Sequence, residues 1–194
     1  MTAGSGAPPC APPDFAPRKP RMGFPPLACD CHAHILGPAS RFAYSPERVY
    51  TPPDCLLPDY RAMLATLGVE RAVLVQPSVY GTDNSLLLRA LAIEPGRHRG
   101  VVVVADDISD AALDAMHAHG VRGIRFNLVS PVGESGVPAS QFAGLAPRLL
   151  ERGWHIQWYT RHADLKGIAA LHRDSGLTCV LDHLAGFDVD LAAD

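Results

Sequence analysis

Short apolar runs alternate with longer amphipathic runs along most of the chain, from Leu27 onward. The short runs are rich in β-branched residues, as in Val101–Val104, which is typical of strands buried on both faces of a parallel sheet. We therefore predict six strands. They are Leu27–His32, Arg71–Gln76, Gly100–Ala105, Gly123–Asn127, His155–Tyr159 and Leu177–Asp182.

The amphipathic runs predict helices between these strands. Ser109 is a plausible N-cap, Gly68 stands where a helix should end, and Pro147 should kink or divide the fourth helix. The predicted helices are Pro58–Leu67, Asn84–Ile93, Asp110–His119, Ser140–Arg152 and Ala163–Asp174.

Strands that alternate with helices predict an α/β fold. The chain has no Gly-rich dinucleotide-binding loop, so the six βα units favour the (β/α)8 TIM-barrel family, here incomplete, over a Rossmann sheet. Residues 1–26 hold 8 of the 18 prolines and predict a disordered tail, which leaves residues 27–194 as a partial barrel. An incomplete barrel has open strand edges, which predicts self-association through them.

The composition of the chain argues against a nucleic-acid-binding, membrane-spanning or secreted protein. The 194 residues are 47% hydrophobic with a net charge of −3, which gives no basic footprint for nucleic acid. No apolar run is long enough to span a membrane, and the N-terminus lacks the apolar core of a secretory signal. Five scattered cysteines fit a reducing compartment, so a cytoplasmic location is expected, and we interpret Cys29 and Cys31 as buried structural thiols.

Polar residues gather where the predicted strands end, which is where barrels build their sites. His32 and His34 are separated by one residue, so both would point to the same side of the first strand. Two such imidazoles can converge on one metal ion or on one substrate carbonyl or carboxyl group. The alternative is a solvated loop after the strand.

Two further residues at strand ends could carry chemistry. Arg125 stands inside a buried strand end, where a charge needs a partner, and an anionic substrate would supply one. The alternative is an internal salt bridge to Asp106 or Asp107. His183 ends the sixth strand and can face the same mouth, or it can be a core histidine bonded to a backbone carbonyl.

Hydroxyl groups occur near the same strand ends. Ser78 lies in a strand-to-helix loop that could hold an anion, and Tyr159 ends the fifth strand. Tyr50 could reach the mouth from the long first loop, although packing explains it equally well.

Four motifs together resemble the amidohydrolase superfamily, closest to the branch of 2-pyrone-4,6-dicarboxylate lactonases and sugar-acid lactone isomerases. They are Asp30–Pro38, Gln76–Asn84, Val121–Asn127 and Leu181–His183. The resemblance implies a distorted TIM barrel and an enzyme of aromatic degradation that hydrolyses the ester bond of a small carboxylated lactone.

By the same resemblance, the catalytic residues His32, His34 and His183 would surround the lactone carbonyl. Arg125 would bind a substrate carboxylate, and Ser78, Tyr50 and Tyr159 would complete the pocket. No cofactor is expected, because metal-dependent relatives place a histidine where this chain has Tyr159. The alternative is a zinc-dependent amidohydrolase or decarboxylase that uses the three histidines as ligands.

The sequence departs from the family pattern in two places. The lactonases carry a further arginine after the Arg-Phe-Asn motif, where this chain has Ser130-Pro131, so another lactone or a sugar acid is an alternative substrate. The family also needs a general-base aspartate after an eighth strand, whereas this sequence stops at Asp194, just past the sixth. An inactive, truncated remnant of such a hydrolase is therefore the alternative to an active enzyme.

Overall fold

The computed structural model describes residues 6–129 and 138–187. Within them, strands and helices alternate in the predicted order, which confirms the α/β class. The strands are β1 (Cys29–Ala33), β2 (Arg71–Val75), β3 (His98–Val102), β4 (Val121–Asn127), β5 (His155–Tyr159) and β6 (Cys179–Leu181). The helices are α1 (Leu57–Leu67), α2 (Ser85–Ile93), α3 (Asp110–Ala118), α4 (Ala139–Glu151) and α5 (Leu165–His172).

The predicted element boundaries are mostly right within a few residues. The largest difference is β3, which starts at His98 and ends at Val102, so the loop after it begins at Val103, earlier than expected. Pro147 lies inside one continuous helix rather than dividing it. Ser109 caps α3 by accepting from the backbone N–H of Ala112, and Gly68 ends α1 with a φ of 76°.

The chain forms two compact units, Met1–Gly100 and Val101–Asp194, and β3 spans the boundary between them. In the first unit, β1 and β2 pair in parallel with Asp30 opposite Ala72. The apolar side chains of Leu64, Leu74 and Leu91 are almost fully buried there, so helices and strands share a core.

The second unit holds a parallel set in which β4 pairs with β5 and β5 pairs with β6. Arg125 stands opposite Gln157, and Asn127 stands opposite Tyr159. Partners in neighbouring strands point to the same side, so the register places these four polar residues on one face.

The core of the second unit is built around Trp158. Its ring stacks on Phe126 with centroids 4.6 Å apart, and Phe142 of α4 stacks on it at 6.3 Å. Phe142, Leu145 and Leu149 are the buried residues of α4, at the i, i+3, i+7 spacing that gives a helix one apolar face.

The prediction for the two cysteines of β1 is wrong, and the prediction for the N-terminal segment is not tested. Cys29 and Cys31 are exposed, so their interpretation as buried thiols is wrong. Near the N-terminus, Thr51 donates its backbone N–H to Pro8 and accepts one from Cys10. The division at residue 26 stays a prediction.

None of the described helices has the length and apolar character that a membrane span requires.

Candidate active site

In the first unit, the two predicted site histidines lie side by side at the end of β1. The rings of His32 and His34 are 5.1 Å apart between centroids and nearly perpendicular. Nδ1 of His34 lies 2.8 Å from the carbonyl oxygen of Val75. A carbonyl only accepts, so Nδ1 carries the hydrogen and Nε2 is the unprotonated nitrogen of the neutral ring.

Asp30 fixes the backbone that carries these histidines. One of its carboxylate oxygens accepts the backbone N–H of His32 at 3.1 Å, and the other accepts the Tyr60 hydroxyl at 2.9 Å. Burial, reinforced by this hydrogen bond to Asp30, raises the pKa of Tyr60 well above its ordinary value. Tyr60 therefore stays a neutral donor, and Asp30 ties the end of β1 to helix α1.

Hydrogen bonds from a buried side chain fix the loop after β2. Gln76 is buried and donates its side-chain amide to the carbonyls of Gly81 and Asp83. Ser78 is half-buried at the first position of a short 3₁₀ helix that follows β2. Tyr50 is half-buried in the segment between β1 and α1. The roles given to Ser78 and Tyr50 remain predictions.

In the second unit, Arg125 has a carboxylate partner that the sequence did not indicate. Its Nε donates to Asp182 at 2.8 Å, and both side chains are buried, 5% and 2% exposed. Gln157 donates to the other oxygen of Asp182 at 2.6 Å. The alternative raised from the sequence, an internal salt bridge, is therefore present, but with Asp182 instead of Asp106 or Asp107.

The ion pair uses only the Nε edge of the guanidinium. Among the described residues, nothing accepts a hydrogen bond from the two Nη groups of Arg125. The guanidinium carbon lies 4.8 Å from the ring centroid of Tyr159, within cation–π distance. Arg125 is thus oriented by Asp182 and Tyr159 and keeps its bidentate edge for another anion.

Tyr159 and His183 form the outer part of the same cluster. Their rings meet edge to face with centroids 5.3 Å apart, and His183 is exposed. His183, Leu184 and Ala185 have φ values of 51°, 53° and 56°. Left-handed backbone costs about 1–2 kcal/mol for each such residue, and strain of this kind gathers at functional sites. The structure brings Arg125, Tyr159 and His183 together, and the roles predicted for them stay predictions.

A pocket of about 400 Å³ opens beside this cluster, lined by Tyr159, His183, Arg161 and His162 among others. Sequence reasoning missed Arg161. The one sequence signal for Arg161 is its position, two residues after the end of β5. At the start of β5, away from the pocket lining, burial lowers the pKa of His155, while hydrogen bonds to Arg122 and Gln157 oppose that shift.

Comparison with known proteins identifies the family of the chain. The amidohydrolase family model matches residues 29–194. The chain is 36% identical over 178 residues to a 2-pyrone-4,6-dicarboxylate hydrolase of Comamonas testosteroni, covering 92% of this chain and 58% of the relative. It is 31% identical over 179 residues to a 4-sulfomuconolactone hydrolase of Rhizobium radiobacter, covering 92% and 60%. The chain thus spans about three fifths of the length of these relatives.

Solved structures show the same fold. A Pseudomonas putida protein suggested to be a 2-pyrone-4,6-dicarboxylic acid hydrolase superposes with a TM-score of 0.71 at 36% identity, covering 84% of this chain and 59% of that one. An Agrobacterium tumefaciens protein superposes with a TM-score of 0.75 at 22% identity, covering 87% and 60%, which bears on the fold alone. These matches confirm the predicted barrel-family fold and the resemblance to the lactonase branch, and the chain belongs to the amidohydrolase family.

Proposed function

We propose that the protein hydrolyses the ester bond of a small carboxylated lactone. The names of two relatives, a 2-pyrone-4,6-dicarboxylate hydrolase and a 4-sulfomuconolactone hydrolase, support this class of substrate. The observation that carries the proposal is the cluster of Arg125, Tyr159 and His183, in which a buried, oriented guanidinium keeps its bidentate edge available.

Arg125 would bind a carboxylate of the substrate. Its two Nη groups match the two oxygens of a carboxylate, and Asp182 holds the opposite edge so that the fork cannot rotate away. Tyr159 would lie against the bound ring. Ser78 and Tyr50 would complete the pocket, as the family resemblance implies.

His32, His34 and His183 would polarise the lactone carbonyl. Water would attack that carbonyl and give its proton to the general-base aspartate that the family places after an eighth strand. Positioned donors stabilise the resulting oxyanion, and the ring oxygen then leaves and takes up a proton to become the hydroxyl of the opened product. Because Nδ1 of His34 is committed to the carbonyl of Val75, His34 can donate only from a protonated Nε2. This proposal uses no cofactor, and it predicts that a protonated His34 is the active form.

The same tautomer favours a second candidate, a zinc-dependent hydrolase or decarboxylase. Metal-binding histidines usually donate their other ring N–H to a carbonyl or carboxylate, as His34 does. His34, with His32 and His183, would then hold zinc through unprotonated nitrogens. Zinc would supply Lewis-acid polarisation of the substrate carbonyl.

The location of the protein and its self-association are also proposals. The described cysteines are all free thiols, which supports a reducing, cytoplasmic location. Val180 and Leu181 of β6 are 36% and 41% exposed, which supports self-association through this strand.

Hydrolysis of 2-pyrone-4,6-dicarboxylate, followed by loss of ring absorbance, tests the proposal. We expect turnover by the wild-type chain and a loss of about 100-fold or more in His183→Asn, the size typical of a lost oxyanion donor. His119→Asn, an exposed residue at the end of α3, is the matched control and should stay within about twofold.

A folded wild-type chain without turnover contradicts the proposed hydrolase. Removing metal with a chelator separates the two candidates. Unchanged activity supports the cofactor-free reaction, whereas activity that is lost and then restored by zinc selects the second candidate.

A further inference from the structure

The pocket beside Tyr159 has a positive lining. Its volume, about 400 Å³, is in the range of small-molecule sites. Arg161, His162 and His183 line it, and no aspartate or glutamate does. Among the described residues, the pocket therefore offers cationic and hydrogen-bonding groups without an acidic side chain to neutralise them.

Arg161 differs from three other arginines of the second unit in lacking a described aspartate partner. Arg125, Arg148 and Arg152 each form an ion pair with an aspartate. Arg161 is exposed, and no described carboxylate pairs with its guanidinium. Its charge is thus available to a ligand.

The backbone directs Arg161 toward the site. Its φ of −105° and ψ of 158° continue the extended conformation of β5, two residues after Tyr159. Side chains two residues apart in extended chain project to the same side. Asp164 accepts the backbone N–H of Arg161 and the hydroxyl of Thr160, so its carboxylate fixes this turn.

We infer that Arg161 is a specificity-determining residue that binds a second acidic group of the substrate. This inference rests on the proposed function, in which Arg125 binds the first. The two arginines have different environments: Arg125 is buried over the Tyr159 ring, whereas Arg161 lines the open pocket beside that ring. A ligand at Tyr159 that carries two carboxylates, or a carboxylate and a sulfonate, would engage both guanidinium groups.

Calorimetric binding of two probes tests the inference. The probes are pyridine-2,4-dicarboxylate, with two acidic groups, and pyridine-2-carboxylate, with one. Arg161→Met should weaken binding of the diacid about 10- to 100-fold, the loss typical of one charge-assisted pair, and binding of the monoacid less than about twofold. Arg161→Lys should recover part of the diacid binding, because the charge remains but the fork is lost.

Arg173→Met is the matched control, since Arg173 is another exposed arginine of this unit and follows α5. It should leave the binding of both acids unchanged. The inference is wrong if Arg161→Met weakens both acids equally or neither, or if the wild-type chain binds both equally. A folded wild-type chain that binds neither acid contradicts the proposed function as well, so the two failures are distinguishable.

Discussion

Removing the carboxylate of Asp182 should destabilise the second unit more than other single changes of a polar side chain there. Asp182 joins two strands, because it accepts from Arg125 of β4 and from Gln157 of β5. Both charged side chains of the pair are nearly inaccessible to solvent. In Asp182→Ala, the Arg125 guanidinium would remain buried without its counterion, and Gln157 would lose its acceptor.

The magnitude follows from this burial. Removing one partner of a buried ion pair costs about 3–5 kcal/mol, chiefly because the remaining charge stays desolvated. We expect Asp182→Ala to lower the free energy of unfolding by that amount. Asp182→Asn keeps the shape and one acceptor, so it should cost less, about 2–3 kcal/mol. Replacing both partners, in Arg125→Met with Asp182→Leu, removes the stranded charge and should cost less than Asp182→Ala alone.

Urea unfolding followed by tryptophan fluorescence measures these differences. Trp154 and Trp158 are both buried in the second unit and report on its unfolding. Asp106→Asn is the control, because Asp106 is an exposed carboxylate of the same unit and should change stability by less than about 0.5 kcal/mol. The reasoning fails if Asp182→Ala stays within 0.5 kcal/mol of wild type by the same criterion, or if the double variant is less stable than Asp182→Ala.

Two further predictions concern packing and pH. A Cβ on Gly123 would lie 2.6 Å from the His155 ring, so Gly123→Ala should destabilise by about 1–3 kcal/mol in urea unfolding, whereas Gly144→Ala, with open space in helix α4, should be neutral or stabilising. Equal effects of the two glycine substitutions would contradict this. Burial lowers the pKa of His172, whose Nε2 accepts the Trp158 indole N–H at 2.9 Å. The unfolded chain, with a histidine pKa of about 6.5, therefore takes up the proton first, and the free energy of unfolding should fall as pH drops below that value. His172→Gln should flatten this decline between about pH 7 and pH 5.5, and an unchanged slope would refute it.

Much of the fold could be predicted because its signals are local. The apolar run Ala72–Val75 lies within β2, and the spacing of Phe142, Leu145 and Leu149 lies within α4. The end of β3 was misplaced because the apolar run extends past Val102, where regular strand structure stops. Exposure of Cys29 was missed because burial of a strand face depends on elements distant in the sequence.

The candidate site was predictable in its residue types but not in its contacts. Arg125 attracted attention because a charge in an apolar strand needs a partner, yet that partner, Asp182, is 57 residues away. The left-handed backbone at His183 has no sequence signal, since left-handed turns favour glycine. Arg161 was missed because its one sequence signal, a position two residues after the fifth strand, is shared by ordinary surface residues.

The most direct test of the central claim is kcat/KM for 2-pyrone-4,6-dicarboxylate with the wild-type chain and with Arg125→Met. If Arg125 binds a substrate carboxylate, the wild-type chain turns the lactone over and the variant loses about 100-fold or more, as expected when a charged group loses its bidentate partner. Circular dichroism of both proteins shows whether the variant retains the fold. Equal kcat/KM for the two folded proteins, or a folded wild-type chain without turnover, would contradict the account.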